Sequence, residues 1–303
     1  MSGTPFVTRH GFMGVPQGAP MASTRAAILG IPFDCGTDAH RIGARQGPEA
    51  IRRQSHLLRP FDPETGLNPL TALSVVDVGD ADVHPGRPEE SLAAIEAAVH
   101  ALAGAGIVPV SLGGDGAIAL PEMRALHRSH PDLVTVHIDA HTDAYPLEGL
   151  NTATPFARAV EEGVVDARRS FHIGLRGQTM IPGVYAHARH LGYGVIPMRE
   201  LLAEGIAAVF ARVAKVVGDR PVYLCYDMDF FDPAVAPGVC TPTWGGASAR
   251  EGLEVLAACE ALNIVGLNVN TISPAHDVNG MSAMLAGQVA LNGLGILARQ
   301  RQM

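Results

Sequence analysis

Short apolar runs recur along the chain, each closed by glycine, proline or aspartate, and they alternate with longer stretches of helical periodicity. The runs Ala26–Ile31, 73–78, 107–112, 133–138, Phe171–Leu175, 222–226 and 264–269 carry Val, Ile and Leu on both parities. A strand facing water on one side alternates apolar with polar; these runs do not, so they predict strands buried on both faces. Between them, Pro88–Gly104, Ile206–Val217 and 249–262 repeat their apolar positions every three to four residues and predict helices. Strand and helix in alternation predict an α/β fold, a mostly parallel sheet with helices on both faces. No linker and no internal repeat divides residues 1–303, so one domain is expected, with residues 1–24 as an N-terminal arm reaching a neighbour.

In such sheets ligands bind beyond the carboxyl ends of the strands, and the polar clusters of this chain fall there. Gly113, Gly114, Asp115 and Gly116 follow the third run, Asp139, His141 and Asp143 the fourth, and Asp227 and Asp229 the sixth. Asp80 and Asp82 follow the second, and Ser273 to Asp277 the last. The spacing Asp139-x-His141-x-Asp143 puts three ligating side chains on one side of a continuing strand or wraps them round a tight loop. Either cluster alone is readily a helix-capping loop. Together they need a further cause, because two unpaired carboxylates ~4 Å apart repel by ~4 kcal/mol at an effective dielectric near 20. Oxygen-rich ligands with one imidazole suit a hard or borderline divalent ion such as Mn²⁺, with Ni²⁺, Co²⁺ or Zn²⁺ also admissible.

Composition narrows the partners. With 303 residues, 47% hydrophobic, and 34 Gly and 22 Pro spread without low-complexity runs, the chain has the makings of a large core. A net charge of −8 argues against nucleic acid or an anionic membrane surface. No uninterrupted apolar run reaches the ~18 residues of a membrane span, and no secretory signal is evident. Cys35, Cys225, Cys240 and Cys259 are widely spaced and show no CxxC pair, which predicts reduced thiols in a cytoplasmic protein.

At this level of detail the chain resembles the ureohydrolase (arginase/agmatinase) family, in particular its agmatinase and guanidino-acid hydrolase branch. The matches run from about Ile28 to Leu297. They include Arg41 to Arg52, Leu112-Gly113-Gly114-Asp115, His137-Ile138-Asp139-Ala140-His141-Thr142-Asp143, and Thr154-Pro155-Phe156 with Glu161 to Gly163. Also matched are His172 to Arg176, Asp227 to Gly238 and Ser273-Pro274. The resemblance implies a three-layer α/β/α fold around an eight-stranded parallel sheet, assembled as trimers or hexamers. It implies a pair of divalent ions, Mn or Ni, whose hydroxide attacks the carbon of a small guanidino substrate.

The family pattern assigns Asp139, His141, Asp143, Asp227 and Asp229 as metal ligands. Its remaining ligand is a histidine directly after Gly-Gly-Asp, and here that residue is Gly116. The histidine that lines the family's substrate pocket before Thr-Pro-Phe is Thr152. The glutamate that pairs with the substrate guanidinium is Thr271. One ion, or a vacant site, is therefore expected instead of two. No catalytic residue is assigned, and substrate-binding residues stay open. Such a chain resembles the degenerate subunit of a heteromeric ureohydrolase, a class that includes nickel-dependent enzymes hydrolysing biguanides such as metformin. It would accompany a homologous subunit with the full ligand set. The alternatives are a stand-alone amidinohydrolase with an altered or mononuclear site, and a metal- or ligand-binding protein without turnover.

Other residues are read more plainly. His40 and Arg41 stand either near the substrate or at a helix entry, with the second reading preferred. His137 is a core or supporting histidine, Asp115 shapes its loop, and Trp244 is either packing or pocket wall. His276 and Asp277 are candidates for replacement chemistry.

Overall fold

The computed structural model describes residues 11–35, 40–84 and 86–301. The strands are β1 (Ala26–Ile31), β2 (Val76–Asp80), β3 (Val108–Gly113), β4 (Val134–Ile138), β5 (Phe171–Leu175), β6 (Gly194–Pro197), β7 (Pro221–Asp227) and β8 (Asn263–Asn270). They form one eight-stranded sheet in the order β2-β1-β3-β8-β7-β4-β5-β6. Every neighbouring pair is parallel.

The absence of alternation along the strands has its cause in two cores. On β1, Ala26 and Ile28 enter one core while Ala27, Leu29 and Ile31 enter the other. On β7, Val222, Leu224 and Tyr226 face the first, and Tyr223 and Cys225 the second. The helices Gly47–Ser55, Ile206–Val217, Ala249–Ala258 and Met281–Gln300 supply the first core. Pro88–Gly104, Ala119–Ser129, Pro155–Glu161 and Val184–Leu191 supply the second. Helices on both faces of one parallel sheet make the three-layer α/β/α arrangement.

Helix ends follow local chemistry. Ser248 and Glu251 form a reciprocal capping box that starts Ala249–Ala258. Asp277 accepts from Ser282 N and Ala283 N at the start of Met281–Gln300. Among the described residues, that last helix alone is long and apolar enough to cross a membrane, yet 72% of its apolar window is buried inside the fold.

Two elements differ from the sequence reading, and part of the arm makes contacts within the chain. The edge strand β6 was not foreseen: it is four residues long and ends in a proline, too short to show a period. The expected helix 249–262 ends earlier, at Ala258, and Cys259–Ala261 tightens into a 3₁₀ turn before β8. The described part of the N-terminal arm docks on its own chain. Phe12 is fully buried and its N–H donates to Asp77 Oδ2 at 2.9 Å, and Gln17 bridges β2 at Asp77. The first ten residues of that arm lie outside the described residues.

Candidate metal centre

β3, β8, β7 and β4 are consecutive in the sheet, and their carboxyl ends bring the sequence clusters into one cleft. Chain neighbours β3 and β4 are split there by the insertion of β8 and β7, which opens the crevice such sheets use for ligands. Asp227 is the last residue of β7, and its side chain accepts from Asp229 N to start the 3₁₀ turn Met228–Phe230. Asp143 bends the chain back with φ 45, a left-handed geometry that aspartate tolerates better than most residues.

Asp139, His141 and Asp229 place ligand atoms within 4.8 Å of one another, as do His137, Asp139, Asp143 and Asp227. All are buried except His141, which keeps partial access. His141 Nδ1 lies 3.2 Å from Asp139 Oδ1 and 3.3 Å from Asp229 Oδ2. Asp139 Oδ1 also accepts from His141 N at 2.7 Å. Burial, reinforced by the neighbouring carboxylates, pushes Asp143 and Asp227 well above the usual carboxylate range and Asp229 to about 7. Asp139 moves the other way: burial opposes its charge, but His137 and His141 beside it hold it well below that range. His141 is in turn held well above its ordinary value by Asp229 and Asp139, against the effect of burial.

The residues fit a divalent cation. Asp139 Oδ2 is buried and accepts no hydrogen bond, although His137 Nε2 stands 2.9 Å away off the bonding axis. Four buried carboxyls converging on one point cost several kcal/mol unless a cation or shared protons compensate them. Asp139, His141 and Asp229 would hold one ion, and Asp139, Asp143 and Asp227, with His137 beside them, would face a second. A cation here would lower the pKa of a bound water and supply hydroxide near neutral pH.

Gly116, Thr152 and Thr271 all line the same cavity, of about 350 Å³, above the cluster. A Cβ built on Gly116 would lie 2.9 Å from Asp143 Oδ2 and 3.8 Å from Thr152 Cβ. Positions 116 and 152 therefore form one wall, and it carries no imidazole. Thr271 sits at φ 66, a strained conformation for a β-branched residue. Its Oγ1 accepts from Met228 N at 3.2 Å and bonds to Asp227 Oδ1 and, at 2.7 Å, to Asn270 O.

The remaining sequence candidates separate from the cluster. Asp80 pairs with Arg52 at 2.5 Å and Asp82 with His84 at 3.3 Å, both beside the edge strand β2. His276 is spent on Ser273 Oγ and His40 O, at 3.0 and 3.1 Å, and Asp277 on its helix cap, so neither supplies replacement chemistry. Asp115 shapes its loop, accepting from Ala117 N and Cys35 N. Trp244 is 74% exposed and does not line the cavity. Arg41 lines the cavity, but its guanidinium donates to Pro237 O and Val239 O at 2.7 and 2.8 Å.

Sequence reasoning missed Tyr145, Gln178, Met180 and Thr241 in the cavity wall. It also missed Thr243, whose Oγ1 meets His141 Nε2 at 3.1 Å. These residues stand on loops without periodicity and meet the cluster only through the fold. Arg176 stood inside a recognised motif without a role. Its guanidinium gathers the carbonyls of Asp229, Phe231 and Thr243 at 2.6, 3.2 and 2.7 Å.

A three-layer parallel sheet with this cluster at its carboxyl ends defines an arginase-type hydrolase scaffold, and the chain belongs to the Arginase family, whose model matches residues 24–295. Within that family its likeness is to the agmatinase-like branch. It is 36% identical over 275 residues to the mitochondrial agmatinase of Gallus gallus, covering 90% of this chain and 81% of that one. It is 37% identical over 291 residues to the guanidinopropionase of Pseudomonas aeruginosa, covering 95% and 91%. The structure of proclavaminate amidinohydrolase from Streptomyces clavuligerus superposes with a TM-score of 0.92 at 31% identity, covering 98% and 99%.

Proposed function

We propose that this chain is a subunit of a metal-dependent hydrolase that cleaves C–N bonds of small guanidino-type compounds, with a metal centre complete on one side only. In this reading it binds one divalent ion, Mn²⁺ or Ni²⁺, through Asp139, His141 and Asp229. It works beside a homologous subunit that keeps the full ligand set, in a trimer or hexamer. The observation that carries the proposal is the bare wall at Gly116, whose Cβ position points at Asp143 Oδ2 from 2.9 Å. A histidine there would enter the cluster, and glycine leaves Asp139, Asp143 and Asp227 without that nitrogen donor. Thr152 on the same wall offers no base, and the Thr271 hydroxyl is engaged with Asp227 and the backbone. Loss of an acid/base residue alone costs ~10²–10⁴ in rate.

The names of the relatives support guanidino compounds as the substrate class, and biguanides remain the finer proposal. The free thiols of Cys35, Cys225, Cys240 and Cys259 suit a reducing compartment such as the cytoplasm. A stand-alone hydrolase with a one-ion site is the second reading, favoured by the open cavity that still leads to an intact Asp139–His141–Asp229 set.

The test is to purify the chain alone and with a homologous subunit. Bound metal is counted, and hydrolysis of agmatine, 3-guanidinopropanoate and biguanides is followed. The expected result is about one ion per chain and little turnover in isolation. The double variant Gly116→His/Thr152→His is expected to gain a second ion and at least ~10² in rate. Two tightly held ions with strong turnover by the unaltered chain alone would overturn the proposal.

A further inference from the structure

We propose that Thr243 is the positioning residue that aims the His141 imidazole at the cation. This rests on the metal-centre reading above and names the part that makes its surviving half competent. An imidazole ligates through one nitrogen, and the partner of the other nitrogen decides which one that is. His141 Nδ1 faces Asp139 Oδ1 and Asp229 Oδ2 at 3.2 and 3.3 Å. Its Nε2 meets Thr243 Oγ1 at 3.1 Å. With Nε2–H donating to that hydroxyl, Nδ1 is the nitrogen left facing the two carboxylates, where a cation would take the place of its proton.

Thr243 can serve as a fixed acceptor because both its ends are held. Its carbonyl accepts from Arg176 Nη2 at 2.7 Å and Nε at 3.2 Å. The same Nη2 donates to Asp229 O at 2.6 Å, so one guanidinium ties the positioning loop to the ligand it must match. The Thr243 methyl lies over Gly177, where a built Cβ would come within 2.4 Å of Cγ2. The methyl thus has its seat on the bare glycine, which leaves the hydroxyl the direction of the imidazole. No motif marked position 243, because the contact spans 102 residues between two loops.

The experiment titrates Zn²⁺, a diamagnetic probe, into chelator-treated protein by calorimetry and follows ¹⁵N-histidine resonances in parallel. Thr243→Val keeps the shape and removes the acceptor, whereas Thr243→Ser keeps the acceptor and removes the methyl. Thr243→Val is expected to weaken the tightest Zn²⁺ site ~10–100-fold and to erase the single-tautomer signature of His141. Thr243→Ser is expected to stay within about threefold of the unaltered protein. If the valine substitution perturbs folding, Thr243→Ala against Thr243→Ser makes the same comparison. Equal Zn²⁺ affinity with and without the hydroxyl overturns the role of Thr243 and leaves the metal centre standing. Failure of the unaltered protein to bind Zn²⁺ overturns the metal centre itself, and this proposal with it.

Discussion

Two glycines of one loop show how differently the same residue type is used at the rim of the cleft. A Cβ on Gly114 would fall 2.0 Å from Phe33 O and 2.8 Å from Ile31 O. Both contacts are backbone, held in place where Gly114 N donates to Ile31 O and Asp115 N to Phe33 O. A Cβ on Gly116 would come closer than 3 Å only to the end of the Asp143 side chain, at 2.9 Å, with Thr152 O at 3.4 Å, and that carboxylate can turn. Gly114→Ala is therefore expected to destabilise by about 3 kcal/mol or more, as forced backbone shifts do. Gly116→Ala should stay within about 1 kcal/mol. Urea unfolding of both variants measures the contrast, and equal losses would mean that the loop yields as one unit. The difference bears on the proposed function: the loop leaves room for a side chain at position 116 and none at position 114. Asp139, His141, Asp143, Asp227 and Asp229 were legible as a converging set because their spacing sits directly after apolar runs. Thr243 was not, since nothing in a Pro- and Gly-rich loop says which distant imidazole it will meet.

At the scale of elements, the helix Ala119–Ser129 buries a carboxyl against the sheet, beneath the acidic cluster. Glu122 is 2% exposed and accepts from Tyr223 OH at 2.7 Å and from Asn268 Nδ2. Burial pushes it up to about 7, against the pull of Ser111, Tyr223 and Asn268. The sign follows from proton binding. Between its ordinary value of 4.5 and about 7, the folded carboxyl keeps a proton that the unfolded one has released. This group's contribution to stability is then fully present below about 4.5 and falls as pH rises through 7. The loss amounts to about 3 kcal/mol at 1.36 kcal/mol per pH unit. Glu122→Gln is expected to remove that slope, so the gap in melting temperature over the unaltered protein should widen in its favour from pH 5 to pH 8. A constant gap would show that Glu122 titrates normally. The elements that bury this group were largely readable from the sequence. Seven of the eight strands announced themselves as apolar runs, because a strand buried on both faces has few polar positions to dilute the signal. The edge strand β6 is buried on both faces as well, through Val195 and Ile196, but four residues are too few to stand out as a run.

Over the whole molecule, the cluster sets the fold against itself until a cation arrives. Two neighbouring strands, β7 and β4, deliver Asp139, Asp143, Asp227 and Asp229 into one buried cleft, and burial with mutual repulsion drives three of them far up from the ordinary carboxylate range. The core must offset that repulsion in the metal-free chain, and the two apolar layers flanking the sheet are large enough to do so. A bound divalent ion reverses the balance, because it stabilises only the folded arrangement that brings the carboxylates together. Mn²⁺ at 100 times its dissociation constant should add about 2.7 kcal/mol to folding. Asp143→Asn distinguishes repulsion from ordinary packing. Without metal it removes the cost of burying a carboxyl that burial and its neighbours push well above its ordinary range, and its melting temperature at neutral pH should rise above that of the unaltered chain. On the proposed one-sided centre, in which Asp143 faces the incomplete side, the gain on adding Mn²⁺ should survive in Asp143→Asn. In Asp229→Asn, which strips the complete side, the gain should be lost. Differential scanning calorimetry with chelator and with Mn²⁺ reads all four combinations. Equal loss of the Mn²⁺ gain in both variants would mean that the centre works as a joined pair, and the one-sided account of this chain would then fail.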